Sequence, residues 1–286
     1  SNLDENKLNE QTRTLYPDAV TMEKKLPEIL QKLGFSPDRA QYLADKIAVD
    51  PARGSGHAWE LHERPAFPFT YPYPFTRMDY KGYNIAIHEF GHNVEQTISL
   101  YDVDYYMLNG VPNTAFTEAL AFVFQKRDLE LLGIKDENPE KEKMDILDKI
   151  WSMYEICGVS MLDISVWKWM YAHPNATAGE LQEAVIRLSK EIWNKYYAPV
   201  FGVKDETVLA IYSHMIGYPL YLSAYAFGQI IEFQLENYLN GKDFANEVSR
   251  IFKQGRLTPN VWIKQATGND LTVDPMLEAL RKVLKD

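Results

Sequence analysis

The stretch His88-Glu89-Phe90-Gly91-His92 carries two histidines four residues apart, with a glutamate directly after the first. On a helix this spacing sets both imidazoles on one face, where they can hold a single Zn²⁺ ion while the glutamate reaches a water beside it. Asp79 supplies an N-cap for such a helix, which the pattern predicts to run to about Leu100.

A catalytic zinc site takes three protein ligands and leaves one position open. The other histidines are His57, His62, His173 and His214. An H-E-x-x-H-x-x-G-x-x-H site would need its third histidine where Ile98 stands, so that class is excluded. A glutamate on a following helix is the other solution, and Glu118 suits it. Asn113 caps a predicted helix that carries Glu118 one turn in, among Ala115, Phe116, Ala119, Leu120, Ala121 and Phe122. A carboxylate in such company is costly unless it is paired or bound to a metal. Glu130, in a charged run further on, is the less suitable substitute.

Working outward, the 286 residues allow one large domain or two modest ones with a sizeable core. With 46% hydrophobic and 24% charged residues, the composition is that of a globular protein. The net charge of −10, with no Lys/Arg cluster, argues against a nucleic-acid partner. The lone Cys157, in an apolar context, excludes an internal disulfide or a thiolate-rich metal site and reads as a buried, inert thiol. Compartment stays open: the cytoplasm is slightly favoured, with the periplasm or secretion as alternatives.

Residues 1–20 are polar and read as an irregular arm or linker, leaving 21–286 as a single catalytic domain. Helical periodicity runs from Met22 to Leu33, and Ser36-Pro37 opens a second helix to about Val49. Asp50 to Trp59, with Gly54 and Gly56, suggests a strand or loop that something approaches closely. The prolines and aromatics of 65–76 predict an extended loop. Further helices are expected at about 138–156, 160–171, 178–197, 242–253 and 275–285. From Thr207 to Ile231 the only titratable acid or base besides tyrosine is His214. Its hydroxyls and Gln229 make a membrane span too costly, so the stretch reads as a buried helix or helix pair lining a cleft. The fold class is mainly α, a zincin-like catalytic domain with a small β element.

The pentad, with Phe116-Thr117-Glu118-Ala119, resembles the zinc oligopeptidases of the thimet oligopeptidase and oligopeptidase F group. Angiotensin-converting enzyme is a more distant relative of that clan. Arg53-Gly54-Ser55-Gly56-His57-Ala58 resembles the family's edge strand for substrate backbone, which implies Gly54, Gly56, His57 and Ala58 as substrate-binding residues. His214 to Tyr225 resembles the segment that donates hydrogen bonds to the transition state. That likeness implies His214, Tyr225 and Tyr218 in catalysis and Tyr221 at the substrate. It covers about residues 40–240 and only the family's catalytic half, so a separate N-terminal half is an implied partner. Leu120-Ala121-Phe122 departs from the family's Ser-Gln, and the spacing from His214 to the tyrosines differs by about a residue, leaving the identity of the donor tyrosine open.

The implied activity is zinc-dependent hydrolysis of short or extended peptides, with His88, His92 and Glu118 as ligands and Glu89 as general base. Two alternatives stay beside it: a zinc carboxypeptidase or aminopeptidase, with Arg53 or Arg77 holding a substrate terminus, and a metallopeptidase-like binding protein without turnover. A di-iron carboxylate bundle fails, because it needs a second Glu-x-x-His and the chain has none.

Overall fold

Apolar residues at helical spacing build the molecule. Met22, Leu26, Ile29, Leu30 and Leu33 all turn inward, as do Tyr83, Ile87, Phe90, Val94 and Ile98 further along. The computed structural model describes residues 4–53, 66–71, 78–135, 138–212 and 214–285.

The chain opens with α1 (Glu5–Leu15), α2 (Ala19–Lys32) and α3 (Pro37–Ala44), followed by β1 (Ala48–Arg53) and β2 (Ala66–Tyr71). Next come α4 (Tyr80–Asp102), α5 (Thr114–Gln125), α6 (Asp128–Leu131), α7 (Lys141–Ala172), α8 (Ala178–Ile192) and α9 (Ala198–Phe201). The last five are α10 (His214–Gly217), α11 (Leu222–Leu239), α12 (Phe244–Phe252), α13 (Pro259–Thr267) and α14 (Asp274–Val283). The expected mainly-α architecture with a small β element is what the chain adopts. Among the described residues the sheet is two parallel strands, in register from Ala48 opposite Ala66 to Arg53 opposite Tyr71. Each strand has one unpaired edge, which is why Pro51 and Pro68 are tolerated in them.

One core is shared by α2–α5 and α11–α13, around Phe90, Phe116, Phe124, Phe252 and Trp262. A second, smaller core joins Val159, Leu162 and Val166 of α7 to Ile192, Trp193, Tyr197, Leu209 and Leu222. The helices that matter for the site are α4 and α5, with α11 laid against α5 and α7 against α11.

Several expectations change. The supposed irregular arm contains α1, whose Leu8 and Thr12 are buried and whose Asp4 accepts a hydrogen bond from the Asn6 backbone. Its apolar positions are too sparse for periodicity alone to reveal it. The helix from Ser36 stops at Ala44, and Ala48 already belongs to a strand. The proline-rich segment contributes β2, since its single proline, Pro68, is compatible with an edge strand. The two helices expected over 138–171 are one 32-residue helix, α7. The uncharged stretch is not uniformly buried: a 3-10 turn at Val208–Ile211 and α10 precede α11, and Ile211, Ile216 and Tyr218 are exposed. Cys157 is half-buried rather than buried, though burial still raises its pKa. Among the described residues no helix is long and apolar enough to cross a membrane.

Candidate metal centre

Asp79 caps α4 as expected, its Oδ1 accepting from the Gly82 backbone at 2.8 Å. The helix places His88 and His92 one turn apart, their rings 4.9 Å between centroids and nearly perpendicular. Asn113 caps α5 in the same way, accepting from Ala115 at 3.0 Å. What brings the two helices together is Gly91. A Cβ there would stand 2.9 Å from Ala121 Cα and 2.9 Å from Phe124 Cβ, so no larger residue fits without moving a helix. On the other side of α5, a Cβ on Gly228 of α11 would lie 3.0 Å from Glu118 Cβ. Two glycines thus let three helices close around one carboxylate.

That closure sets Glu118 Oε2 3.4 Å from His88 Nε2, and Oε1 3.9 Å from His92 Nε2. One ligand atom from each of His88, His92 and Glu118 lies within 4.8 Å of the others. Glu118 is only 2% exposed, and its Oε2 has no hydrogen-bond partner among the described residues. A buried carboxylate oxygen without a donor, facing two imidazole nitrogens, is a donor set that suits a divalent cation. Among zinc's usual ligands, two nitrogens and one carboxylate are a standard catalytic combination. Burial alone would push the His88 pKa down, but the pull of Glu118, with Glu89 and Gln125, leaves it raised. For Glu118, burial pushes upward and is outweighed by His88, His92 and Tyr221, so its carboxyl sits below the usual range.

Glu89, 7% exposed, follows His88 on α4 and is close enough to act electrostatically on His88, Tyr221 and Tyr225. The His214 segment lies over the same site. His214 on α10 has its ring centroid 6.1 Å from Tyr218, 6.1 Å from Tyr221 and 6.0 Å from Tyr225. The three tyrosines are not equivalent. Tyr221 donates its hydroxyl to Glu118 Oε1 at 2.5 Å, and burial first, then Glu118, raises its pKa. Tyr225 is half-buried, 5.3 Å from the Tyr221 ring, and raised by burial and the same two carboxylates. Tyr218 is 61% exposed. The tyrosine bonded to the Glu118 carboxylate is therefore Tyr221, which the sequence resemblance implies at the substrate.

The remaining candidates fall outside this cluster. Glu130 and His173 are exposed on α6 and beyond α7. Gly54, Gly56, His57 and Ala58, with His62 and Arg77, lie outside the described residues. Arg53 ends β1.

Sequence reasoning missed the residues behind the histidines. His88 Nδ1 lies 3.0 Å from Gln125 Oε1, and Gln125 Nε2 donates to Asn84 Oδ1 at 2.6 Å. His92 Nδ1 lies 3.0 Å from Thr117 Oγ1, which donates to Glu95 Oε2 at 3.0 Å. Both imidazoles therefore use Nδ1 for support and turn Nε2 to Glu118. Spacing held part of this signal, since Gln125 is seven residues after Glu118 and Asn84 four before His88.

Compared with solved structures, the chain superposes on one described as an oligoendopeptidase F with a TM-score of 0.65 at 16% identity, over 98% of this chain and 54% of that one. A second, from Bacillus anthracis, gives 0.61 at 13%, over 98% and 52%. The metallocarboxypeptidase 1 of Trypanosoma cruzi gives 0.57 at 14%, over 100% and 70%. The fold is one shared by metallopeptidases. The chain spans about half the length of the two oligoendopeptidase F structures. No protein-family profile and no curated protein sequence matches it.

Proposed function

We propose that the chain is a zinc-dependent metallopeptidase that hydrolyses peptide bonds in short or extended peptides. The observation that carries this reading is the convergence of His88 and His92 of α4 with Glu118 of α5 within 4.8 Å, beside a buried Glu89 on α4. Zinc held by those three residues would supply a Lewis acid for the scissile carbonyl and acidify an attacking water. Glu89 takes the proton of that water and passes it to the leaving amine nitrogen. Tyr225, and next Tyr218, with His214, offer donors to the oxyanion that develops on the carbonyl oxygen, while the Tyr221 hydroxyl holds Glu118. Tyr218, Tyr221 and Tyr225 gather around His214 beside the cluster, and their rings offer aromatic surface to a peptide. A binding protein without turnover would have no use for Glu89, so that alternative is weaker.

A carboxypeptidase is the second reading, favoured by the likeness to the T. cruzi metallocarboxypeptidase. It requires a cation for the substrate's terminal carboxylate, and Arg53 and Arg77 are the candidates from sequence. As to partners, we infer a peptide substrate and an N-terminal half of the same precursor, in keeping with the oligoendopeptidase F structures extending beyond the part this chain matches.

The test combines metal analysis of the purified chain with a peptide-library cleavage assay on wild type and Glu89→Gln. One zinc per chain and a loss of cleavage of at least about 10²-fold in the variant are expected. Stoichiometric zinc with unchanged cleavage would sink the mechanism. Amidated substrates separate the two peptidase readings, because a carboxypeptidase fails on them.

A further inference from the structure

The hydrogen bonds behind His88 continue beyond Gln125 and Asn84. Asn84 Nδ2 donates to Asp128 Oδ2 at 2.7 Å, and the hydroxyl of Tyr80 donates to the same oxygen at 2.6 Å. The other oxygen, Oδ1, accepts from the Leu129 backbone at 2.6 Å. Asp128 is buried, at 6% exposure, at the start of α6.

With donors on both of its oxygens, the Asp128 carboxylate is the one member of this chain of hydrogen bonds that only accepts. Facing it, Asn84 must present its NH₂ and therefore turns its carbonyl to Gln125. Gln125 must then present its NH₂ to Asn84, which turns its own carbonyl to His88. A carbonyl cannot donate, so the His88 nitrogen facing it has to carry the proton. The tautomer left has Nε2 as a bare lone pair, aimed at Glu118 and His92.

We propose that Asp128 and Asn84 are positioning residues for the metal centre: through two neutral amides they fix the His88 tautomer that can bind zinc. The inference rests on the reading of His88, His92 and Glu118 as a zinc site. The contrast with His92 supports it. There a single hydroxyl, Thr117, separates the imidazole from the carboxylate of Glu95, and the same acceptor-only logic runs over one step instead of two. A neutral glutamine beside His88 could be flipped; a carboxylate further back removes the choice.

The experiment measures zinc affinity by chelator competition for Asp128→Asn and Asn84→Leu, each in the native and in the Gln125→Glu background. Asn at 128 can donate as well as accept, and Leu at 84 breaks the relay, so each should weaken zinc binding about 10- to 100-fold. A Glu at 125 only accepts and needs no relay. In that background either second substitution should leave affinity within about threefold of Gln125→Glu alone, an effect no merely structural role would produce. Nitrogen NMR of the metal-free imidazoles should show His88 protonated on Nδ1 in the wild type and as a tautomer mixture in Asp128→Asn. Unchanged affinity in both single variants, or equal losses in the two backgrounds, would overturn the proposal. Asn84→Leu keeps Asp128 paired with Tyr80 and Leu129, so the test survives if Asp128→Asn fails to fold. Absence of zinc from the wild type would sink the metal reading instead, and the imidazole spectra would still decide the relay.

Discussion

Gly91 and Ala121 meet backbone to backbone where α4 crosses α5, and a Cβ on the glycine would stand 2.9 Å from the Ala121 Cα. The glycine of the pentad therefore sets how close Glu118 comes to the two histidines. In Gly91→Ala the helices must separate or strain, at a cost of about 1–3 kcal/mol in stability. We expect a lower melting temperature together with weaker zinc binding. Weaker stability with unchanged zinc affinity would show that the crossing and the site are independent.

Metal removal should be visible in stability before it is visible in chemistry. A ligand that binds only the folded chain stabilises it by RT ln(1 + [L]/Kd), about 2.7 kcal/mol at a hundredfold excess over Kd. Added Zn²⁺ should raise the melting temperature of the wild type and chelator should reverse the rise. In Glu118→Ala both responses should disappear, since the variant loses one of three ligand groups. A zinc shift that persists in Glu118→Ala would locate the binding elsewhere.

The tyrosines should rank by their distance from Glu118. Loss of one oxyanion donor costs about 10²- to 10³-fold in kcat. Tyr221→Phe removes the only tyrosine hydroxyl seen bonded to Glu118 among the described residues and is expected to cost the most. Tyr225→Phe should follow, and Tyr218→Phe, at an exposed position, should change kcat least. Steady-state kinetics on one peptide decides the order, and a larger effect at Tyr218 than at Tyr221 would reverse it.

How much of this was legible beforehand depended on whether the signal was local. The pentad helix, the caps at Asp79 and Asn113, and the placing of Glu118 beside the two histidines could be read because each rests on a short-range pattern with a chemical reason. The polar positions 84, 88, 92 and 95 recur at helical spacing along one side of α4, so the supporting residues were half-visible too. Asp128 was not, because its role exists only once α6 folds against the start of α4. Helix α1 was missed for a similar reason: Asn9 accepts from the Tyr80 backbone and Gln11 donates to the Leu132 carbonyl, contacts made with residues some seventy and more than a hundred positions away. The Tyr221–Glu118 hydrogen bond was not legible either, because it exists only once α11 packs against α5.

The same N-terminal packing predicts behaviour in alkali. Tyr16 stacks on Tyr83 at 5.3 Å, and burial, helped by the charge of Glu28, pushes its pKa up to about 12. The folded chain holds this proton more tightly than the unfolded one, whose tyrosines titrate near 10. Its stabilising contribution is therefore complete below about pH 10 and is lost as pH rises towards 12, at about 1.4 kcal/mol per unit. Tyr16→Phe has no proton to lose, so its unfolding free energy should fall less steeply across that window. Parallel curves for the two proteins in chemical denaturation would count against the assignment.

In the second core the hydroxyl of Tyr197 is inserted into the hydrogen-bond ladder of α7. It donates to the Tyr154 carbonyl at 2.5 Å and accepts from the Gly158 amide at 2.8 Å, the two groups that pair with each other in a regular helix. The ring reaches this position from a π-turn at Trp193–Tyr197, and a Cβ on Gly158 would fall 2.1 Å from the hydroxyl. Gly158→Ala alone should therefore cost about 3 kcal/mol or more, despite alanine's better helix propensity, because the tyrosine must leave. Tyr197→Ala empties the space, and in that background Gly158→Ala should cost little or even stabilise by about 0.5–1 kcal/mol as the ladder closes. A double-mutant cycle by denaturant unfolding measures the coupling; additive losses would mean that the hydroxyl and the glycine do not depend on each other.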